Sequence, residues 1–424
     1  MTESATHRTI EAVFRIESAK LIARLTRIVR DVGVAEELAQ DALVLALERW
    51  PTDGVPDNPA AWLMTTAKNR AIDRVRRHKL VERKHEEIGH DPELQPETPD
   101  LATVLDDDVG DDLLRLMFTA CHPVLAPEAR VALTLRLIGG LSTPEIARAF
   151  LVPETTVAQR IVRAKKTLAE ANVPFEVPRG PELAERLASV LAVIYLVFNE
   201  GYSATAGEDW MRPELCEDAL RLGRILAGLM PDQSEVHGLV ALMEIQASRS
   251  RARLGPTGEP VLLLEQNRTR WDALLIRRGL AALARTEQLG GERGPYALQA
   301  ALAACHARAR TAADTDWIRI AALYATLAEV VPSPIVQLNR AVALGMAEGP
   351  AAGLALVDQI VDEPALASYH LLPAVRGDLL SKLGRFSEAR QELERAAGLT
   401  NNARERALLL ERAAACGSVP PIVR

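Results

Sequence analysis

The sequence predicts an all-α protein, and three observations carry that prediction. Aromatic residues make up only 4 % of the chain, Ala and Leu abound, and β-branched runs stay short, a composition that favours helices. Apolar residues recur at helical spacing, most plainly at Val157, Ile161, Ala164 and Leu168. Helix punctuation falls at the ends of such stretches, at Gly33, Pro59 and Pro153. A chain of 424 residues is expected to form two or three domains rather than one core.

Arg8 to Arg30 carries the first helical pattern, closed by Gly33. Ala35 to Trp50 forms the second, with acids toward its N-terminus where the helix dipole favours them. Pro51 to Pro59 reads as a loop. Asn58 caps a third helix that begins at Pro59 and runs to about Lys79. Glu86 to Asp112 holds eleven acids and no Lys or Arg, interrupted by Pro92, Pro96 and Pro99, and reads as a linker. Asp111 to Asn172 forms a compact four-helix unit, and Pro174, Pro178 and Pro181 mark a boundary after it.

The last two helices of that unit, in LSTPEIARAFLVPETTVAQRIVRAKKTL (141–168), read as a helix-turn-helix. Ser142 and Glu145 have the spacing of a capping box, and Ala147 is small where two helices must approach. Leu151 stands at the turn position where glycine is usual, so strain or a slightly remodelled turn is expected. Val157, Ile161, Ala164 and Leu168 form the buried stripe. Thr156, Gln159, Arg160 and Arg163 share another face, spaced to enter a major groove, and Lys165 and Lys166 would add phosphate contacts.

Beyond Pro181 the chain is again helical. Leu383 to Ala389, followed by Leu393, Ala396 and Ala397, matches the second half of a tetratricopeptide repeat, and Leu338 to Ile360 looks like a degenerate preceding unit. Such arrays offer concave surfaces and seldom host chemistry.

The net charge of −7 argues against nucleic acid until its distribution is considered. Lys68, Arg70, Arg74, Arg76, Arg77, Lys79, Arg83 and Lys84 crowd the third helix, so basic helix, acidic linker and basic recognition helix alternate in blocks. No apolar run reaches the roughly 20 residues that span a bilayer, and no secretory signal is visible at the N-terminus. Cys121, Cys216, Cys305 and Cys416 lie far apart and read as reduced, buried thiols of a cytoplasmic protein. Cys121-His122 and Cys305-His306 diverge by about 100° on a helix and make no natural chelate. Asp107, Asp108, Asp111 and Asp112 read as a solvated charge run. Catalytic motifs are missing, so neither an enzyme, a metal nor a cofactor is implied.

The succession AEELAQDALVLALERW, NPAAWLMTTAKNRAIDRVRRHK, acidic linker and LSTPEIARAFLVPETTVAQRIVRAKK resembles bacterial sigma-70 factors of the extracytoplasmic-function (ECF) type. YLVFNEGY (195–202), GPYALQAALAACHARA (294–309) and ADTDWIRIAALY (313–324) are similar to the subgroup with a long tetratricopeptide-like C-terminal extension. The resemblance covers essentially the whole chain. It implies sigma region 2 at 8–80, an acidic linker at 81–111, sigma region 4 at 112–172 and a regulatory helical extension at 181–424. It further implies that Glu37, Leu38, Gln40, Asp41 and Leu45 grip core RNA polymerase. Trp62, Asn69, Arg70, Arg74, Arg76, Arg77 and Lys79 would read and open the promoter −10 element, and the linker would thread toward the RNA exit path. Thr156, Gln159, Arg160, Val162, Arg163 and Lys166 would read −35 DNA, with Ala158 departing from a position that is often basic. The implied partners are core RNA polymerase and promoter DNA, with no membrane. The extension would contact a regulatory protein or fold back on the sigma domains. A conventional helix-turn-helix transcription regulator with a repeat-type sensor domain is the alternative, and it leaves the 62–79 block unexplained.

Overall fold

The computed structural model describes residues 3–86, 109–204, 211–256 and 258–417. Among these residues all regular structure is helical, with eighteen α-helices, short 3-10 turns and an isolated bridge between Leu254 and Pro260. No helix among them is long and apolar enough to cross a membrane. The chain divides into two compact units, Met1–Val193 and Ile194–Arg424.

In the first unit, α1 (Glu3–Val29), α2 (Val32–Asp53) and α3 (Pro59–Glu86) pack on one another. The break between α1 and α2 lies upstream of Gly33: Arg30 takes a positive φ of 55°, and the Asp31 carboxylate caps α2 by accepting from Val34 N at 2.9 Å. Gly33 lies inside the first turn of α2 instead. The second helix also outruns its expected end, passing through Pro51 to close at Gly54. Asn58 caps α3 as expected, accepting from Ala61 N at 3.1 Å, and α3 continues past Lys79 to Glu86.

Four further helices complete this unit: α4 (Val109–Ala120), α5 (Pro127–Leu137), α6 (Thr143–Phe150) and α7 (Glu154–Glu170). Most of the acidic linker lies outside the described residues. Asp112 at its end is no part of a solvated charge run. It is buried, accepts from Arg115 at 2.8 Å and faces Arg27 of α1 at 3.6 Å, and burial raises its carboxyl above the usual range. The first unit continues past Pro181 because the start of α8 (Pro181–Tyr202) docks on α4 and its following turn. Arg186 donates to Phe118 O at 3.1 Å and Ser189 to Cys121 O at 2.6 Å.

The second unit takes the rest of α8 and ten more helices: α9 (Pro213–Leu229), α10 (Ser234–Ala247), α11 (Ala273–Gln288), α12 (Pro295–Arg308), α13 (Trp317–Val330), α14 (Pro334–Ala347), α15 (Pro350–Ile360), α16 (Leu371–Lys382), α17 (Phe386–Leu399) and α18 (Ala403–Gly417). Most pack on their neighbours in sequence, while α12 packs chiefly on α10. The two segments read as repeat units are helical hairpins, α14–α15 turning at Gly349 and α16–α17 at Gly384, both with positive φ. Small residues set the helix spacing. A Cβ on Gly353 would stand 2.6 Å from the Ala341 carbonyl oxygen and 3.0 Å from Gly345 Cα.

Three arginines gather between α10 and α12. Arg253 donates to the Tyr202 carbonyl and lies 3.6 Å over that ring. Arg268 stacks on Trp271 at 4.8 Å and donates to the carbonyls of His306 and Ala309. Arg249 stands 5.9 Å from the same indole. Burial, together with Arg249 and Arg268, pushes the His306 imidazole down to about 4.

Gly353→Ala should cost about 1–3 kcal/mol, because only backbone could yield to the new methyl group. Gly398→Ala, with nothing within 4 Å of its Cβ, should stabilise α17 by up to about 1 kcal/mol. Guanidinium denaturation of the two variants checks the contrast. The folded pKa of His306 lies below its unfolded value near 6.5, so stability is full above pH 6.5 and declines as pH falls toward 4. Unfolding at pH 5 should show about 2 kcal/mol less stability from this group than at pH 7.5, and His306→Gln should remove that part of the slope.

Candidate nucleic-acid interface

The helix-turn-helix forms by local chemistry. Ser142 Oγ accepts from Glu145 N at 3.4 Å while Glu145 Oε2 accepts from Ser142 N at 2.7 Å, completing the capping box. The helix α6 then ends without remodelling its turn. Leu151 itself adopts the left-handed conformation (φ 51°, ψ 41°), and Val152 N donates to Ala147 O at 3.1 Å. This is the closure glycine usually provides, held by Leu at a steric cost of about 1–2 kcal/mol.

All four stripe residues of α7 are buried. Gln159, Val162, Arg163 and Lys166 are exposed, and Thr156 and Arg160 are half-buried at the edge of that face. Lys166 pairs loosely with Glu170 at 3.5 Å. Lys165 departs from the expected phosphate role: it turns inward and ion-pairs with Glu36 of α2. Its stem runs beside Gly33, where even a Cβ would meet Lys165 Cδ at an ordinary contact distance of 3.6 Å.

Glu36 was not singled out by the sequence, yet it joins both halves of this unit. It is buried, takes Arg136 Nε of α5 at 2.6 Å and Gln40 Nε2 at 3.0 Å, and holds Lys165 on its other oxygen. Its two cationic partners lie a hundred residues away or more, so no local pattern could have revealed them.

On the outer side of α2, the residues assigned to two different partners meet. Asp41 pairs with Arg70 at 2.9 Å and Glu37 with Arg74 at 3.3 Å. Both pairs are largely exposed and worth no more than about 1 kcal/mol, so phosphates can displace the acids cheaply. Leu45 is half-buried, whereas Leu38 is buried in the core and cannot reach a partner. Trp62 is half-buried and sits edge-on to the buried Trp50, centroids 5.3 Å apart at 72°. It anchors α3 on α2, and Asn69, Arg76 and Arg77 stand exposed beyond it. The side chain of Lys79 lies outside the described residues.

Residues 14–81 match the family Sigma-70 region 2, and residues 115–168 match Sigma-70, region 4. Over 151 residues the chain is 30 % identical to the ECF RNA polymerase sigma factor SigK of Mycobacterium ulcerans (strain Agy99), covering 34 % of this chain and 75 % of SigK. The chain belongs to the ECF sigma-70 family. It is an RNA polymerase sigma factor with a C-terminal extension, and residues 186–287 of that extension match a family of unknown function, DUF6596. Probable ECF RNA polymerase sigma factor SigI of Mycobacterium tuberculosis (strain ATCC 25618 / H37Rv) is 27 % identical over 175 residues, 40 % of this chain and 58 % of SigI. Uncharacterized protein R00370 of Rhizobium meliloti (strain 1021) is 44 % identical over 387 residues, 91 % of this chain and 90 % of that protein. No solved structure gives a significant match.

Removing one partner of a buried ion pair costs about 3–5 kcal/mol, so Glu36→Gln should release α5 and α7 from α2 in this sigma factor. The native cysteines are buried, so a fluorophore pair on cysteines introduced at Glu48 and Glu170 can report the separation. Energy transfer should fall in Glu36→Gln and stay unchanged in the exposed control Glu37→Gln.

Proposed function

We propose that this sigma factor grips core RNA polymerase through the outer face of α2, with Glu37, Gln40, Asp41 and Leu45 at the contact. The same surface continues into Asn69, Arg70, Arg74, Arg76 and Arg77, which with Lys79 track the −10 strand. Asn69 pairs with an unstacked base edge, and the arginines take phosphates. Gln159, Arg160 and Arg163 read −35 base edges in the major groove, Val162 makes apolar contact, and Thr156 and Lys166 hold phosphates. The observation that carries this reading is the α7 face, polar, exposed and presented by a capped helix-turn-helix downstream of a region 2 match.

Promoter elements centred near −35 and −10 are separated by about 25 base pairs, roughly 85 Å of duplex at 3.4 Å per step. A compact unit of this length has a radius of gyration of about 16 Å. Reading both elements therefore requires α7 to leave α2, and the Glu36 ion pairs are the contacts to be exchanged. The C-terminal extension regulates that exchange, by contact with the sigma regions, with polymerase or with a regulatory protein. Such a factor works in the cytoplasm and needs no cofactor.

Run-off transcription with purified core polymerase on genomic promoter fragments tests the proposal. New transcripts are expected only when the protein is added, and a chain ending at Val193 gives the sign of the extension's effect. Arg163→Ala should reduce transcription from −35-dependent templates about tenfold or more, the loss of one bidentate base contact. DNA binding without polymerase and without transcripts from either form would overturn the reading.

A further inference from the structure

The second unit contains a cleft of about 510 Å³ beside Trp271, between the 3-10 turn at Arg268–Arg270 and the segment after α12. Arg268, Arg308 and Arg310 line it together with Trp271, Gln266 and Thr269, and no Asp or Glu does. Arg268 is fixed rather than mobile: the His306 and Ala309 carbonyls accept from it at 2.5 and 2.8 Å, and Thr315 Oγ1 at 3.2 Å. Those neutral acceptors orient the guanidinium, and the Asp314 carboxylate attracts it only from beyond ion-pair distance. Arg249, only 8 % exposed, stands 5.9 Å from the same indole, and among the described residues neither arginine has a carboxylate within ion-pair distance.

A buried cation is ordinarily paired, because an unpaired one costs several kcal/mol; that holds for Arg249, whereas Arg268 is half-buried and open to the cleft. The cleft wall is also short of partners. Gln266 and Trp271 are each more than nine-tenths buried, and two donors, Trp271 Nε1 and Arg268 Nε, meet no hydrogen-bond partner. The neighbouring acid, Asp314, is committed to closing the Thr311 turn, where it accepts from Thr311 N and Oγ1 at 2.9 Å each. Arg308 and Arg310 are exposed at the rim. Guanidinium groups are suited to oxyanions through their planar fork of donors, and the volume is that of a small-molecule site.

We propose that this cleft binds a small molecule bearing an oxyanion, a phosphate or a carboxylate group, seated between Arg268, Arg308 and Arg310. The extension of this sigma factor then carries a ligand site of its own, separate from the DNA-reading surfaces and independent of how those surfaces work.

Thermal unfolding of the full chain, titrated with inorganic phosphate or with citrate against sodium chloride of equal ionic strength, tests the proposal. A ligand that binds only the folded state raises the melting temperature in a saturable way, and the more effective anion separates phosphate from carboxylate chemistry. The double variant Arg308→Gln/Arg310→Gln should melt like the parent in chloride and bind the anion at least tenfold more weakly. Arg268→Gln should lose the shift altogether. Equal shifts in chloride, or an unchanged affinity in the rim variant, would overturn the site. Micromolar binding of an oligothymidylate that the rim variant abolishes, without a phosphate or citrate effect, would overturn it in favour of a nucleic-acid backbone.

Discussion

A single buried carboxylate governs how α5 and the second helix of the helix-turn-helix are held. Glu36 faces inward from α2 and takes charge from Arg136 of α5 and Lys165 of α7. Burial makes this arrangement sharply two-sided. While both cations are in place the carboxylate is satisfied, and losing either leaves charge stranded in a poorly solvated site. The pairing thereby ties the recognition helix to the helix that carries the proposed polymerase contacts. It also consumes Lys165, leaving the exposed α7 face to Gln159, Val162, Arg163 and Lys166. Surface pairs such as Asp41–Arg70 and Glu37–Arg74 are of the opposite kind, exposed and cheap to exchange.

The extension is organised by different means. Its helices approach through glycine and alanine contacts, as at Gly345 against Gly353, and its hairpins turn at glycines with positive φ. Within this apolar stacking the group around Trp271 stands apart, because it sets guanidinium charge against aromatic rings and carbonyl oxygens.

Much of the architecture was legible because it is local. Capping by Ser142 and Glu145, the α7 stripe and the Asn58 cap depend on residues within one or two helical turns, and periodicity reports them directly. The boundaries were less legible. The break before α2 follows the Asp31 cap and the left-handed Arg30 rather than Gly33, and α2 passes through Pro51, a residue that usually ends a helix. Leu151 shows the same limit from the other side: the turn geometry common at this position is kept although the residue is unfavourable for it, because the packing of Ile146 and Ala147 in α6 against α7 outweighs a local cost.

The sequence by itself determined the helical class, the order of the modules and which face of α7 is polar, since each follows from composition and spacing along the chain. Tertiary structure alone decided that Leu38 is core, that Lys165 serves Glu36, and that Trp62 anchors against Trp50. It alone assembled Arg268 with Arg308 and Arg310 around one cleft. The physical reason is range: periodicity fixes which side of a helix is apolar, but only folding decides which distant charge or ring that side meets.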